Sequence, residues 1–243
     1  MKRAFPILAV LTGLLLAYAF YEAMWVAPTE RTMGDVQRIF YYHVPSAWTA
    51  FVLFFVNLVA SVTYLIRKNP KADAVAFVSA EVGVVFCTVV LVTGPIWARP
   101  VWGIWWTWDL RLTLTLVLWL IYVSYLILRR FSDSAQTPKL AAVLAIFGAL
   151  DVPLVYFSIW FFRTQHPQPV IGGGGSIDPR MLHILLINWL AFSCLAFLVC
   201  WVRYRLEMLK RDVEEAEALE SLLEPRAPAV PPKAKAPLSG DRR

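Results

Sequence analysis

"AFVSAEVGVVFCTVVLVTGPIW", residues 76–97, holds a single charged side chain, Glu81, near its first end. A helix rises 1.5 Å per residue, so a run of this length crosses the roughly 30 Å of hydrocarbon in a bilayer. Five further runs of the same kind lie on either side: Phe5 to Trp25, Ala47 to Ile66, Leu110 to Leu128, Leu140 to Phe162 and Met181 to Val202. Membrane barrel strands are segments of about ten residues that alternate apolar and polar, whereas these runs are continuous. With 59% hydrophobic and 16% charged residues, the chain is no soluble core. The predicted fold class is all-α: a polytopic membrane protein with six transmembrane helices.

Orientation follows from the basic residues between the runs. Lys2, Arg3, Arg67, Lys68, Lys71, Arg129, Arg130, Lys139 and every Lys or Arg after Trp201 fall on one side, 17 of the 23. That side is expected to be the cytoplasm, with both termini in it. Lys2 and Arg3 followed by an apolar stretch and the triplet Ala17 to Ala19 resemble a signal peptide. The apolar run continues to Trp25, however, so it is read as a retained span. The net charge of +6 then serves topology and attraction to anionic lipid, and no nucleic-acid partner is implied.

Three connectors share the opposite, outer face: "APTERTMGDVQRIFYYHVPSAW" (27–48), "VWGIWWTWDLRLT" (101–113) and "RTQHPQPVIGGGGSIDPR" (163–180). All positive charge there is arginine: Arg31, Arg38, Arg99, Arg111, Arg163 and Arg180. Such a bias suits planar carboxylates. All three histidines are there too: His43, His166 and His183. An isolated Trp at a span end is an interfacial anchor, which accounts for Trp25, Trp48, Trp97, Trp160 and Trp201. Four indoles at 102, 105, 106 and 108 exceed that need and suggest an aromatic binding surface. Pro45 and Ser46 after His43 are read as opening the second span, and Pro167 biases His166 to extended backbone.

Imidazoles for an iron, indole faces for a flat ring and arginine forks for two carboxylates together suit haem. Zinc has no use for the indoles. Cys87, Cys194 and Cys200 all lie in apolar runs without a CxxC or CxxCH, so neither covalent haem nor dithiol exchange is expected. No hydrolytic or redox site is evident.

The stretch "WGIWWTWDLRLT" (102–113) resembles the tryptophan-rich haem-handling motif of the cytochrome c biogenesis families CcmC, CcmF and CcsA. "QRIFYYHVP" (37–45) and "DVPLVYFSIWFFRTQHP" (151–167) are similar to CcmC specifically, and the likeness covers roughly residues 35–200. It implies His43 and His166 as axial ligands of haem b iron. It also implies a cofactor-binding surface of Trp102, Gly103, Trp105, Trp106, Trp108, Asp109 and Arg111, with Arg38 and Arg99 as further propionate candidates. His183 has no counterpart. Ile104, Leu110, Phe161 and Phe162 depart from the family pattern but stay apolar. The resemblance further implies a periplasmic face of the bacterial inner membrane and delivery of transiently held haem to the chaperone CcmE. Its other implied partners are the ABC transporter subunits CcmA and CcmB and the small membrane protein CcmD.

The alternative reading is a permease subunit of an ABC-type exporter, which would need polar groups along a central path. The spans offer Asp151, two residues before Pro153, and little else. Glu81 is expected to reach the interface. Past the membrane, "RYRLEMLKRDVEEAEALESLLEPR" has helical apolar spacing, and the Pro- and Ala-rich remainder reads as a disordered tail. Residues 1–203 are thus a membrane haem-handling domain, 204–224 an amphipathic cytoplasmic helix and 225–243 the tail.

Overall fold

The computed structural model describes residues 4–132, 134–162, 164–169 and 177–223. Lys2, Arg3, Arg163, the glycine run 172–175 and the predicted tail 225–243 lie outside them. Six helices are long and apolar enough to cross a membrane: α1 (Ala4–Tyr21), α2 (Phe40–Arg67), α3 (Pro70–Trp102), α4 (Leu110–Phe131), α5 (Thr137–Phe161) and α6 (Pro179–Leu223). A π-helical turn, Glu22–Val26, extends α1, and a 3₁₀ turn, Asp35–Ile39, leads into α2. Among the described residues there is no strand, only an isolated bridge between Glu30 and Gly34. Met1–Met208 form one compact unit and the residues from Leu209 a second, whose described part is helical to Leu223.

The first unit is apolar outside and close-packed inside. Val10, Leu14, Phe55, Phe147, Leu154 and Phe197 are exposed, as lipid-facing side chains must be, while Ala50, Ala74, Ala80, Ala141, Ala145 and Ala191 are buried where helices meet. Between helices in lipid, association depends on close van der Waals contact, which small residues permit. At the centre the Phe54 and Tyr122 rings stack 3.9 Å apart at 10°. A Cβ on Gly83 would stand 2.7 Å from Phe54 Cε1, and one on Gly148 would stand 2.8 Å from Ile121 Cγ2. Both glycines are therefore contact points of neighbouring helices. Gly148→Val is expected to destabilise the fold by about 1–3 kcal/mol, the usual cost of overpacking. Thermal unfolding in detergent measures this, and an unchanged midpoint would contradict the close approach.

Helix ends are set by local chemistry. Asn69 caps α3, accepting from Lys71 N at 2.9 Å, with Pro70 in the first turn where its missing N–H costs nothing. Lys68 adopts left-handed backbone, φ 52°, and so completes a two-residue link between α2 and α3. Two bidentate ion pairs tie the helices at the end remote from the tryptophan connector 101–113. Arg129 holds Asp73 at 2.5 and 2.8 Å, and Arg203 holds Glu81 at 2.7 and 2.9 Å. Glu81 therefore has a definite partner rather than simply reaching the interface.

Several helices exceed their apolar runs, α2, α3 and α6 most, the last continuing without a break from Val202 to Leu223. α2 starts at Phe40, not Ala47, so His43 and Pro45 are helical and Pro45 does not open the span. α3 continues past Trp97 to Trp102 with Pro95 and Pro100 inside it. A membrane helix loses one backbone bond at each proline yet continues, because neighbouring helices and hydroxyls satisfy the freed groups.

Candidate functional site

The start of α2, the end of α3, the start of α4 and the segment 164–169 after α5 bring His43, Thr93, Arg111 and His166 within reach of one another. His43 is the fourth residue of α2 and is buried, 8% exposed. Its Nδ1 lies 2.9 Å from Thr93 Oγ1 on α3. The Trp97 indole stands edge-on to the imidazole at 5.8 Å. Gly94 leaves room along the ring, since a Cβ there would meet His43 Cε1 at 3.5 Å.

His166 is half-buried in the connector after α5. Its backbone N–H donates to Thr164 Oγ1 at 3.1 Å, and its Nδ1–H donates to the Pro167 carbonyl at 2.9 Å. Because a carbonyl only accepts, Nδ1 carries the hydrogen and Nε2 the lone pair. Desolvation, then the charge of Arg111, lowers the His166 pKa to about 4, so the imidazole is neutral and able to coordinate near neutral pH. His43 lies within electrostatic range of both His166 and Arg111, so the two histidines share one neighbourhood.

The three arginine candidates differ sharply. Arg38 donates to the Ala23 and Ala27 carbonyls and to Asp35 Oδ1, so it fastens the first connector to the end of α1. Arg99 donates to the Gly103 carbonyl at the end of its own helix. Arg111, in the first turn of α4, keeps a buried Nη1 without a hydrogen-bond partner among the described residues. An unpaired buried guanidinium N–H is costly unless an anion completes it. Trp106 Nε1 is likewise buried without a partner among the described residues.

The tryptophan connector is short. Gly103 ends α3 in left-handed backbone, φ 79°, which its missing Cβ permits. Asp109 caps α4, its Oδ1 accepting from Leu112 N at 3.0 Å while Thr107 donates to Oδ2 at 3.1 Å. Trp102 is the last residue of α3, and the other indoles stand on the strap between the two caps. Trp105 and Trp108 are 59% and 76% exposed, far beyond what a core residue shows. Trp106 meets Trp108 edge to face at 5.8 Å, and both line an open cleft of about 520 Å³ with Leu91, Pro95 and Leu116.

The structure thus places His43, His166 and Arg111 within electrostatic range of one another, sets Trp106 and Trp108 along one cleft, and gives Gly103, Asp109, Arg38 and Arg99 local structural partners. His183 is exposed on α6. Asp151 is buried inside α5, its Oδ2 without a hydrogen-bond partner among the described residues, near Cys87 rather than among the outer groups. Sequence reasoning missed Thr93 and Gly94, small residues inside an apolar run that gave no signal of facing a histidine 50 positions away. It also missed Tyr156 of α5, which lies within electrostatic range of Arg111 and packs on Trp160 at 5.1 Å.

Known proteins match nearly the whole chain. The family model described as CcmC, Heme exporter protein C, covers residues 1–219. Heme exporter protein C of Bradyrhizobium diazoefficiens is 35% identical over 222 residues, 90% of this chain and 84% of its own length. Its namesake in Escherichia coli is 31% identical over 201 residues, 82% of each chain. A protein of Arabidopsis thaliana named as a CcmC-like mitochondrial protein of cytochrome c biosynthesis is 33% identical over 221 residues, 89% of this chain and 84% of its own. The multi-pass helical bundle described above belongs to the heme exporter protein C family.

Proposed function

We propose that this chain handles haem for cytochrome c maturation by holding haem b at the outer, periplasmic face of the bacterial inner membrane and passing it to the chaperone CcmE. What supports this reading is that two imidazoles lie within electrostatic range of Arg111, whose buried Nη1 has no partner among the described residues, with the exposed indoles Trp105 and Trp108 on the strap just before it. His43 and His166 supply Nε2 lone pairs to the iron, and Arg111 supplies an N–H to a propionate. Trp105, Trp106 and Trp108 offer aromatic faces to the macrocycle and leave one edge to the recipient. Arg38 and Arg99 act indirectly, by holding the connectors that frame the site. CcmA, CcmB and CcmD are the further partners this reading assigns, at the membrane.

The handling and exporter readings differ in one outcome, and the handling role predicts the following. In cells lacking this chain, periplasmic haem is expected to accumulate normally while CcmE stays unloaded. Loss of the periplasmic haem itself would favour a permease and overturn the handling role.

A further inference from the structure

Thr93 Oγ1 sits between two groups of different chemistry. It lies 2.7 Å from the Val89 carbonyl one turn back along α3, and 2.9 Å from His43 Nδ1. A hydroxyl has one proton to give and a carbonyl can only accept, so the arrangement that makes hydrogen bonds of both contacts gives that proton to Val89, the nearer neighbour. The Val90 carbonyl at 3.4 Å is an acceptor too and leaves the assignment unchanged. Thr93 Oγ1 then accepts from His43, whose Nδ1 carries hydrogen and whose Nε2 carries the lone pair.

The same helix repeats the device in unambiguous form. Thr88 donates to the Val84 carbonyl at 2.8 Å and its oxygen accepts from Trp119 Nε1, also at 2.8 Å. An indole N–H only donates, so a back-bonded threonine of α3 demonstrably acts as acceptor toward a ring N–H. At His43 the ring is further fixed by the Trp97 edge.

We propose that Thr93 is a positioning residue that locks His43 in the Nδ1–H tautomer and strengthens Nε2 as a donor to haem iron. The role rests on His43 being an iron ligand, as read above. A ligand histidine whose other N–H is held by an oxygen is both oriented and made more basic, and an outer-shell partner of this kind is worth about 10- to 100-fold in metal affinity. His166 reaches the same state through the Pro167 carbonyl, so the two imidazoles are matched in tautomer.

The test uses the full chain purified with its haem in detergent, as wild type, Thr93→Val, Thr93→Ala and Thr93→Ser. Haem affinity and the ferric/ferrous midpoint potential are measured for each. Thr93→Val and Thr93→Ala are expected to weaken haem binding by about 10- to 100-fold and to raise the midpoint potential, because a weaker imidazole donor stabilises ferric iron less. Thr93→Ser is expected to restore both. Wild-type affinity and potential in Val and Ala would overturn the proposal, as would a defect in Val alone, which signals packing, or a Ser variant that fails like Val. His43→Ala is measured in parallel. An unchanged low-spin spectrum there removes the ligand reading itself, whereas a lost spectrum there beside an unaffected Thr93→Val removes only the part assigned to Thr93.

Discussion

His43→Ala is expected to abolish the low-spin haem spectrum of the purified chain, and His166→Ala to do the same. The loss should exceed the roughly 100-fold that an outer-shell change costs, because the donor atom itself is gone. His43 sits in the first turns of a packed helix, 8% exposed, and the nearby rings of Trp97 and Phe40 offer no lone pair to replace it. Desolvation together with Arg111 keeps His166 neutral down to a pH of about 4, so its nitrogen is available throughout the neutral range. His183→Ala should leave the spectrum intact, since that side chain is exposed on α6. Unchanged spectra in both of the first two variants would remove the ligand assignment.

Arg129→Ala is expected to cost about 3–5 kcal/mol, the penalty for breaking a buried ion pair from one side. The Arg129 and Asp73 side chains are 9% and 6% exposed, and the guanidinium also lies over the Phe77 ring at 5.0 Å. Removing it leaves a buried carboxylate without its guanidinium. Arg129→Lys should recover little, because a point charge cannot make both contacts of the fork. The paired change Asp73→Asn with Arg129→Met should recover much of the stability, since no unpaired charge then remains buried. Thermal unfolding in detergent decides this. A double variant as unstable as Arg129→Ala would show that the fold depends on the pair itself.

Hydropathy made the six helices legible but misplaced some of their ends. An apolar run marks the stretch that lipid surrounds, whereas a helix ends where backbone bonding stops. "YYHVPS" at the start of α2 and "ARPVW" at the end of α3 are helical although they carry polar groups or proline. The tryptophan motif and the two histidines were recognisable because their residue types are rare and clustered. The role of Asp109 as a helix cap was open to local reading, since a carboxylate before "LRLT" fits an N-cap. The partners of Thr93 and Glu81 were not legible. Their contacts join positions 50 and 122 residues apart, and no pattern within a single helix encodes them.

The strap between Gly103 and Asp109 also bears on kinetics. Its two ends are fixed by a left-handed glycine and a capping carboxylate, so the indoles it carries have few arrangements to lose when a planar ligand arrives. Ordering a free loop costs about 1–2 kcal/mol for each residue fixed, and here folding has already met much of that cost. Under the function proposed above, a surface pre-ordered in this way takes up a planar ligand without rearranging the strap.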